Sequence, residues 1–196
     1  MLALAPGLAS AGKGGSVPNF VLKNLEGKNV ALADLKTKGP VLIDFWATWC
    51  KPCLREMPHI EALHKQYGPQ GLQVVAISVD DTRSEVKAKS YVKTHGFTFN
   101  VLFDPNQRTL RELQGVTCPY LVLVSPEGER LYTHSGYRDG DEKELAKVVA
   151  EAMATLAPQG KDSQDSKDSK DSKDDKDAEA VPAGENGDAG ASQEGG

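Results

Sequence analysis

Two cysteines separated by two residues, Cys50-Lys51-Pro52-Cys53, are the part of this chain whose spacing points most directly to chemistry. A pair so placed is a dithiol built to close and reopen. Before it, Val41-Leu42-Ile43-Asp44-Phe45 is an apolar, β-branched run that reads as a buried central strand, while Pro52 suits the first turn of a helix, where a missing N–H is no loss. Cys50 therefore falls at a helix N-terminus, where unpaired amides and the helix dipole favour an anion. A thiolate is that anion. Cysteines in such places have pKa values lowered to roughly 3.5–7.5 from about 8.5, which makes Cys50 the attacking sulfur.

The chemistry of the cysteines has to be local. Three cysteines in 196 residues are too few to staple a scaffold, and a body of this size buries a core without them. A structural zinc site wants four closely spaced ligands, whereas His59, His64, His95 and His134 are scattered and no second cysteine pair exists. From Pro158 onward five Lys stand against eleven Asp and Glu with no aromatic residue, a net charge of −6 that leaves the first 157 residues near +1. No basic stripe with interleaved aromatics asks for nucleic acid, and the apolar runs fall short of a membrane span.

The elements that must position the cysteines follow from hydrophobic period and turn chemistry. Val17 to Lys23 and Asn29 to Leu32 predict a hairpin around Glu26-Gly27, followed by a short helical turn over Ala33 to Lys38 and the strand Val41 to Phe45. Leu54, Met57, Ile60, Leu63 and Tyr67 then make the apolar stripe of a helix from about Cys50 to Tyr67, with Pro58 predicting a bend within it. Leu72 to Val79 reads as a strand covered on both faces. Thr82-Arg83-Ser84-Glu85 has the form of a capping box, opening a helix that runs to about Thr94 and closes at Gly96. A strand over Asn100 to Phe103, a helix after Asp104-Pro105 ending at Gly115, a hairpin of Tyr120 to Val124 with Arg130 to His134, and a last helix over Asp141 to Leu156 complete the pattern. Strands alternating with helices imply an α/β fold, a mixed sheet flanked by helices.

Three regions are delimited. Residues 1–16 form a leader: Met1 to Ala11 resembles the late apolar part and small-residue cleavage region of a secretory signal, without a basic start. Residues 17–157 form the folded domain. Residues 158–196, with the repeated Lys167-Asp168-Ser169 and Lys170-Asp171-Ser172 units, are too polar to bury a core and read as a disordered acidic tail.

The run Val41 to Cys53, with Trp46 and Trp49 before the first cysteine, Pro58 five residues after the second, and Thr117-Cys118-Pro119 just ahead of a strand, resembles the active-site segment of the thioredoxin superfamily. The N-terminal hairpin and the inserted helix and strand of Ser84 to Phe103 make it more similar to the extracytoplasmic branch, the TlpA/ResA-like thiol-disulfide oxidoreductases. The resemblance covers residues 17 to 156 and implies a thioredoxin-like fold. It also implies a cis peptide before Pro119, against the cysteine pair, letting the backbone of residue 118 meet a substrate strand. Asp44 matches the buried aspartate held to move a proton for the second cysteine, since a carboxyl in a dry site exchanges protons near neutrality. Two departures stand out. Ala76 occupies the place of the lysine that partners this aspartate in thioredoxins, and Cys118 replaces the usual Thr, Val or Ile before the cis proline. Asp81 falls near where ResA-like proteins carry an acidic active-site residue, and reads otherwise as a helix cap.

The implied reaction is thiol-disulfide exchange, with Cys50 attacking a protein disulfide and Cys53, helped by Asp44, resolving the mixed disulfide. Lys51 adds positive charge near Cys50, Pro52 stiffens the turn, and Trp46 and Trp49 pack around the site. Trp49, Lys51, Pro52, Cys118 and Pro119 are the expected substrate contacts. No cofactor or metal is needed beyond the Cys50–Cys53 disulfide. The expected partners are protein disulfides and a membrane-bound thiol reductant, with the chain a monomer in the periplasm or cell envelope, or in the cytoplasm if the N-terminal run is a flexible leader with no targeting role. Cys118 is either a small apolar packing residue or a third sulfur able to trap a disulfide or complete a thiolate site. The second choice keeps open a Cu(I)-binding chaperone, although Sco-like copper proteins space their cysteines differently and add a partnered His. A thiol peroxidase is disfavoured, since Ala47 and Ile43 stand where peroxiredoxins want Thr or Ser and Pro.

Overall fold

The computed structural model describes residues 14–156; the expectations for most of the leader and for the acidic tail lie outside the described residues. In chain order the elements are β1 Gly14–Ser16, β2 Val21–Asn24, β3 Asn29–Ala31, α1 Leu32–Lys36, β4 Val41–Trp46, α2 Lys51–Tyr67, β5 Gln73–Ser78, α3 Glu85–His95, β6 Asn100–Phe103, α4 Arg108–Glu112, β7 Tyr120–Val124, β8 Glu129–Ser135 and α5 Asp141–Leu156. A single 3-10 turn, Gly68–Gln70, follows α2. Among the described residues the eight strands form one sheet in the order β1-β8-β7-β4-β5-β6-β2-β3. β4, β5 and β6 run parallel, and the remaining neighbours pair antiparallel. This is the expected α/β thioredoxin-like architecture, a mixed sheet flanked by helices.

β4 lies at the centre because it can: all six of its side chains are buried, as are the five of β7. A strand that is apolar on both faces must be covered on both, and only an interior position with helices above and below provides that. Among its neighbours α2 packs on α5, which buries Leu145, Val149 and Met153. From α2 the buried side chains are Cys53, Glu56, Met57, Ile60, Glu61 and Leu63, so the predicted stripe is present, with Leu54 and Tyr67 half-buried at its margins. Pro58 does not end the helix. Its ring lies on the exposed side, and the hydrogen bond it cannot donate is the one to the Leu54 carbonyl.

Three local expectations are corrected. The strand predicted over Val17 to Lys23 is split, because Pro18 has no N–H for a ladder. Gly14–Ser16 pairs with β8 and only Val21–Asn24 joins the hairpin, while Val17 and Phe20 between them turn into the core. The sheet thus begins inside the stretch delimited as leader. The capping box is absent as well: Ser84 is the N-cap of α3 but its side chain caps nothing, and its own N–H donates to Asp81 Oδ1 at 2.9 Å. The helix predicted after Asp104-Pro105 is shorter and starts at Arg108, with the buried Asp104 carboxylate accepting from the N–H groups of Arg108 and Leu110, both at 3.0 Å.

Candidate active site

Cys50 and Cys53 are joined in a disulfide. Cys50 is the N-cap of α2, with Pro52 in the first turn as expected; its Sγ accepts from the Cys53 N–H at 3.3 Å and its carbonyl from the Leu54 N–H at 3.1 Å. A sulfur at this position is held against the positive end of a 17-residue helix. Cys53 is wholly buried, and Cys50, 4% exposed, is the less enclosed of the two.

The loop that carries Cys50 is held from the next strand. Just past β5, the buried Asp80 carboxylate accepts from the Thr48 N–H at 2.9 Å, the Thr48 hydroxyl at 2.7 Å and the Ser78 hydroxyl at 2.9 Å. The backbone adds Val79 N–H to the Trp46 carbonyl at 2.8 Å and Cys50 N–H to the Ala47 carbonyl at 3.1 Å. Asp80 was not singled out in the sequence, whereas its neighbour Asp81 was. Asp81 is exposed, and the hydrogen bonds it accepts from Ser84, just ahead of α3, hold its carboxyl below the usual range, in keeping with the reading of it as a residue of the helix start.

Asp44 is buried, as the match to the family's aspartate implied. It lies in β4 opposite Ala76 of β5 and Leu121 of β7, fully buried, and among the described residues no donor reaches either oxygen. Burial pushes its carboxyl up to about 7. The lysine departure is real, since Ala76 offers neither charge nor hydrogen bond. Sequence reasoning missed a second acid, Glu56, on the first turns of α2. It is 2% exposed, its Oε2 has no partner among the described residues, and burial together with the charges of Asp44 and Asp141 pushes it up to about 9. The two carboxyls repel as anions in a dry site, so at neutral pH the pair retains at least one proton. The signal for Glu56 was in the sequence: with Cys53, Met57 and Ile60 it falls at positions i, i+3, i+4 and i+7, a charged residue on the buried stripe.

Opposite the helix terminus, the Cys118–Pro119 peptide is cis, as the resemblance implied. The loop that carries it leaves α4 through Gly115, where a Cβ would lie 2.3 Å from Leu110 Cδ1 and 2.6 Å from Tyr120 Cδ1. Only glycine allows that approach. The Tyr120 hydroxyl donates to the Leu113 carbonyl at 2.9 Å and ties β7 back to the end of α4. The Sγ atoms of Cys50, Cys53 and the half-buried, unpaired Cys118 all lie within 4.8 Å of one another. Burial and the charge of Asp44 push the Cys118 thiol up to about 11.

The two tryptophans part company. Trp46 is fully buried with its ring 5.8 Å from that of Tyr91, whereas Trp49, immediately before Cys50, is 63% exposed. The expectation that both pack around the site therefore holds for neither in the same sense: one is core, the other is an open aromatic surface at the site mouth. Lys51 is exposed and Pro52 half-buried beside it. Val116, two residues before Cys118, is 91% exposed. The cavity of about 320 Å3 lined by His64, Leu72, Val74 and Thr98 lies near the far end of α2 and includes none of these groups.

A disulfide on the first turn of the helix after the central strand, apposed to a cis-proline loop, defines a thioredoxin-like thiol-disulfide exchange protein. The AhpC/TSA family profile matches residues 14–129. The thiol-disulfide oxidoreductase ResA of Bacillus subtilis is 35% identical over 127 residues, covering 65% of this chain and 69% of the relative. ResA of Halalkalibacterium halodurans is 34% identical over 152 residues, covering 78% and 80%. Among solved structures, a candidate thiol:disulfide interchange protein DsbE from Chlorobium tepidum superposes with a TM-score of 0.66 at 32% identity, over 72% of this chain and 98% of that one. The chain belongs to the AhpC/TSA family of the thioredoxin superfamily, and within it to the ResA/TlpA-like thiol-disulfide oxidoreductases. Its activity is protein thiol-disulfide exchange through Cys50 and Cys53, and the relatives named here favour that reaction over copper delivery.

Proposed function

We propose that this protein works as a reductant of protein disulfides outside the cytoplasm, with Cys50 attacking, Cys53 resolving and Asp44 carrying the proton between them. The carrying observation is the unpartnered Asp44 carboxyl, pushed up to about 7 by burial in the strand that leads into the cysteines. An acid poised there gives up and recovers a proton at neutral pH. Its charge also acts on the Cys118 thiol, whose sulfur is within 4.8 Å of Cys53, which supports a place for Asp44 behind the cysteines.

In the reduced protein, the helix terminus and Lys51 favour the Cys50 thiolate, which attacks one sulfur of a substrate disulfide and expels the other as a thiolate. The mixed disulfide then joins Cys50 to the substrate. Cys53 passes its proton to Asp44 and attacks Cys50 Sγ, which releases the second substrate thiol and closes the Cys50–Cys53 bond. Glu56, higher in pKa, stays protonated and makes Asp44 the member of the pair that cycles. Trp49 and Pro52 on one side and the Cys118–Pro119 backbone on the other offer an open surface rather than an enclosed pocket, which suits an extended protein strand over a small molecule. A third role for hydroxyl chemistry of the peroxidase kind finds little support, since the Thr48 hydroxyl is committed to Asp80.

The place of action rests on the small-residue run Met1 to Ala11 and on the ResA kinship. Electrons in that setting come from a membrane-bound thiol protein, and the chain acts as a monomer. The direction is tested by equilibrating the full chain with dithiol redox buffers and reading the Cys50–Cys53 potential from trapped thiols. A potential well below that of the glutathione couple is expected. A potential above it makes the protein an oxidant and overturns the proposed direction.

A further inference from the structure

We propose that Cys118 is a third redox cysteine, a second resolving thiol that closes a Cys50–Cys118 disulfide in competition with the Cys50–Cys53 bond. The inference rests on the exchange reaction described above and adds a branch to it. Three sulfurs lie within 4.8 Å of one another, a short movement from bonding distance, and one of them remains a thiol while the other two are bonded. Cys118 lies on the loop after α4 and the cysteine pair on α2, so the branch links two separate elements across the site. Its side chain is half-buried, protected from bulk oxidants yet beside the exchangeable bond.

The step balances without an added oxidant. In the mixed disulfide between Cys50 and a substrate, the Cys118 thiol gives up its proton as its sulfur attacks Cys50 Sγ, the bond from Cys50 to the substrate sulfur breaks, and the substrate leaves as a thiolate that takes up that proton. The two electrons that reduce the substrate disulfide come from Cys50 and Cys118. In the resting oxidised protein the same attack breaks the Cys50–Cys53 bond and leaves Cys53 as the thiol, an isomerisation with no net electron transfer. Burial and Asp44 keep the Cys118 thiol protonated at neutral pH, so Cys53 wins the competition and the branch carries flux when Cys53 is engaged or absent.

The test is a single turnover with the full chain, reduced, freed of reductant and mixed with one equivalent of insulin. Pre-reduced Cys53→Ala is expected to release two insulin thiols per protein and to yield a Cys50–Cys118 linked peptide after thiol trapping and mass spectrometry. Cys53→Ala with Cys118→Ala is expected to stop at one released thiol, with at least tenfold more Cys50–insulin mixed disulfide. Cys53→Ser, alone and with Cys118→Ala, is run in parallel, since a serine fills the site differently and guards against a folding defect of one variant. If Cys53→Ala and Cys53→Ser accumulate the mixed disulfide as fully as the double variants, the third-cysteine proposal is overturned. Cys50→Ala separates the two readings: loss of all thiol release there supports the underlying exchange chemistry whatever Cys118 does, and retained release removes the basis of both.

Discussion

Two buried aspartates flank the cysteine loop and are treated in opposite ways. Asp80 has three donors on its oxygens, whereas Asp44 has none among the described residues. A buried carboxylate surrounded by donors is stable as an anion and cross-links what it touches, while one without donors is driven toward the neutral acid. The first ties the loop to the strand behind it, and the second is held toward its neutral form. Burial alone therefore does not decide the state of a carboxyl; the donors around it do.

Asp80→Ala would break this contrast most severely. It strips the partners from the Thr48 and Ser78 hydroxyls and from the Thr48 N–H, and a loss of about 3–4 kcal/mol in urea unfolding is expected. A loss under about 0.5 kcal/mol would show that the loop holds itself.

Asp44→Asn is expected to slow resolution of the mixed disulfide by about 100-fold at pH 7, read by rapid quench and thiol trapping. The same variant gains stability at high pH. Because the folded-state value of about 7 lies above the unfolded value of about 3.9, the native protein holds the proton more tightly, and its stability falls as pH rises through that interval. Asparagine has no proton to lose. The variant should match the wild type below pH 4 and exceed it by roughly 2–4 kcal/mol at pH 9 in denaturant titrations. Equal stability at both pH values would mean that Asp44 is ionised in the folded protein.

Glu56→Gln removes the neighbour that shares the dry site. With Glu56 neutral at pH 7, the glutamine is expected to leave the ionisation that governs resolution in place and to change the rate by about two-fold at most below pH 8, followed in the pH profile of single turnover. A shifted profile would show that Glu56 carries charge beside Asp44 at neutral pH. Smallest in its effect on the fold is Trp49→Ala at the exposed mouth, where stability should stay within about 0.5 kcal/mol and KM for a protein disulfide should rise a few-fold in a steady-state reduction assay.

The elements around the cysteines were legible because each obeys a local rule. A doubly apolar run made β4, a three-and-four spacing made α2, and Gly96 closed α3 in the left-handed region at φ 66. The places that were misread depend on which of several neighbouring groups takes a hydrogen bond. Thr82 to Glu85 has the letters of a capping box, yet the chain turns so that Asp81 receives the Ser84 N–H instead. Asp80 and Asp81 are adjacent at the end of a strand, and nothing local says which one points inward; Thr48, 32 residues away, decides it.

By itself, the chain determined its reaction. The Cys50–Cys53 spacing, the strand before it and the proline within it are local, and they put a sulfur on a helix terminus whatever else surrounds them. The state of the acids and the company of the sulfurs were decided only by tertiary structure. Asp44 is dry and unpartnered because Ala76 and Leu121, from two other strands, offer it no donor, and Glu56 is buried because it falls on the face of α2 turned away from solvent. Cys118 reached the disulfide because the loop before β7 passes the end of α2, 65 residues on in the chain. Ionisation and sulfur exchange depend on what stands within a few ångströms, and a sequence carries that information only after it has folded.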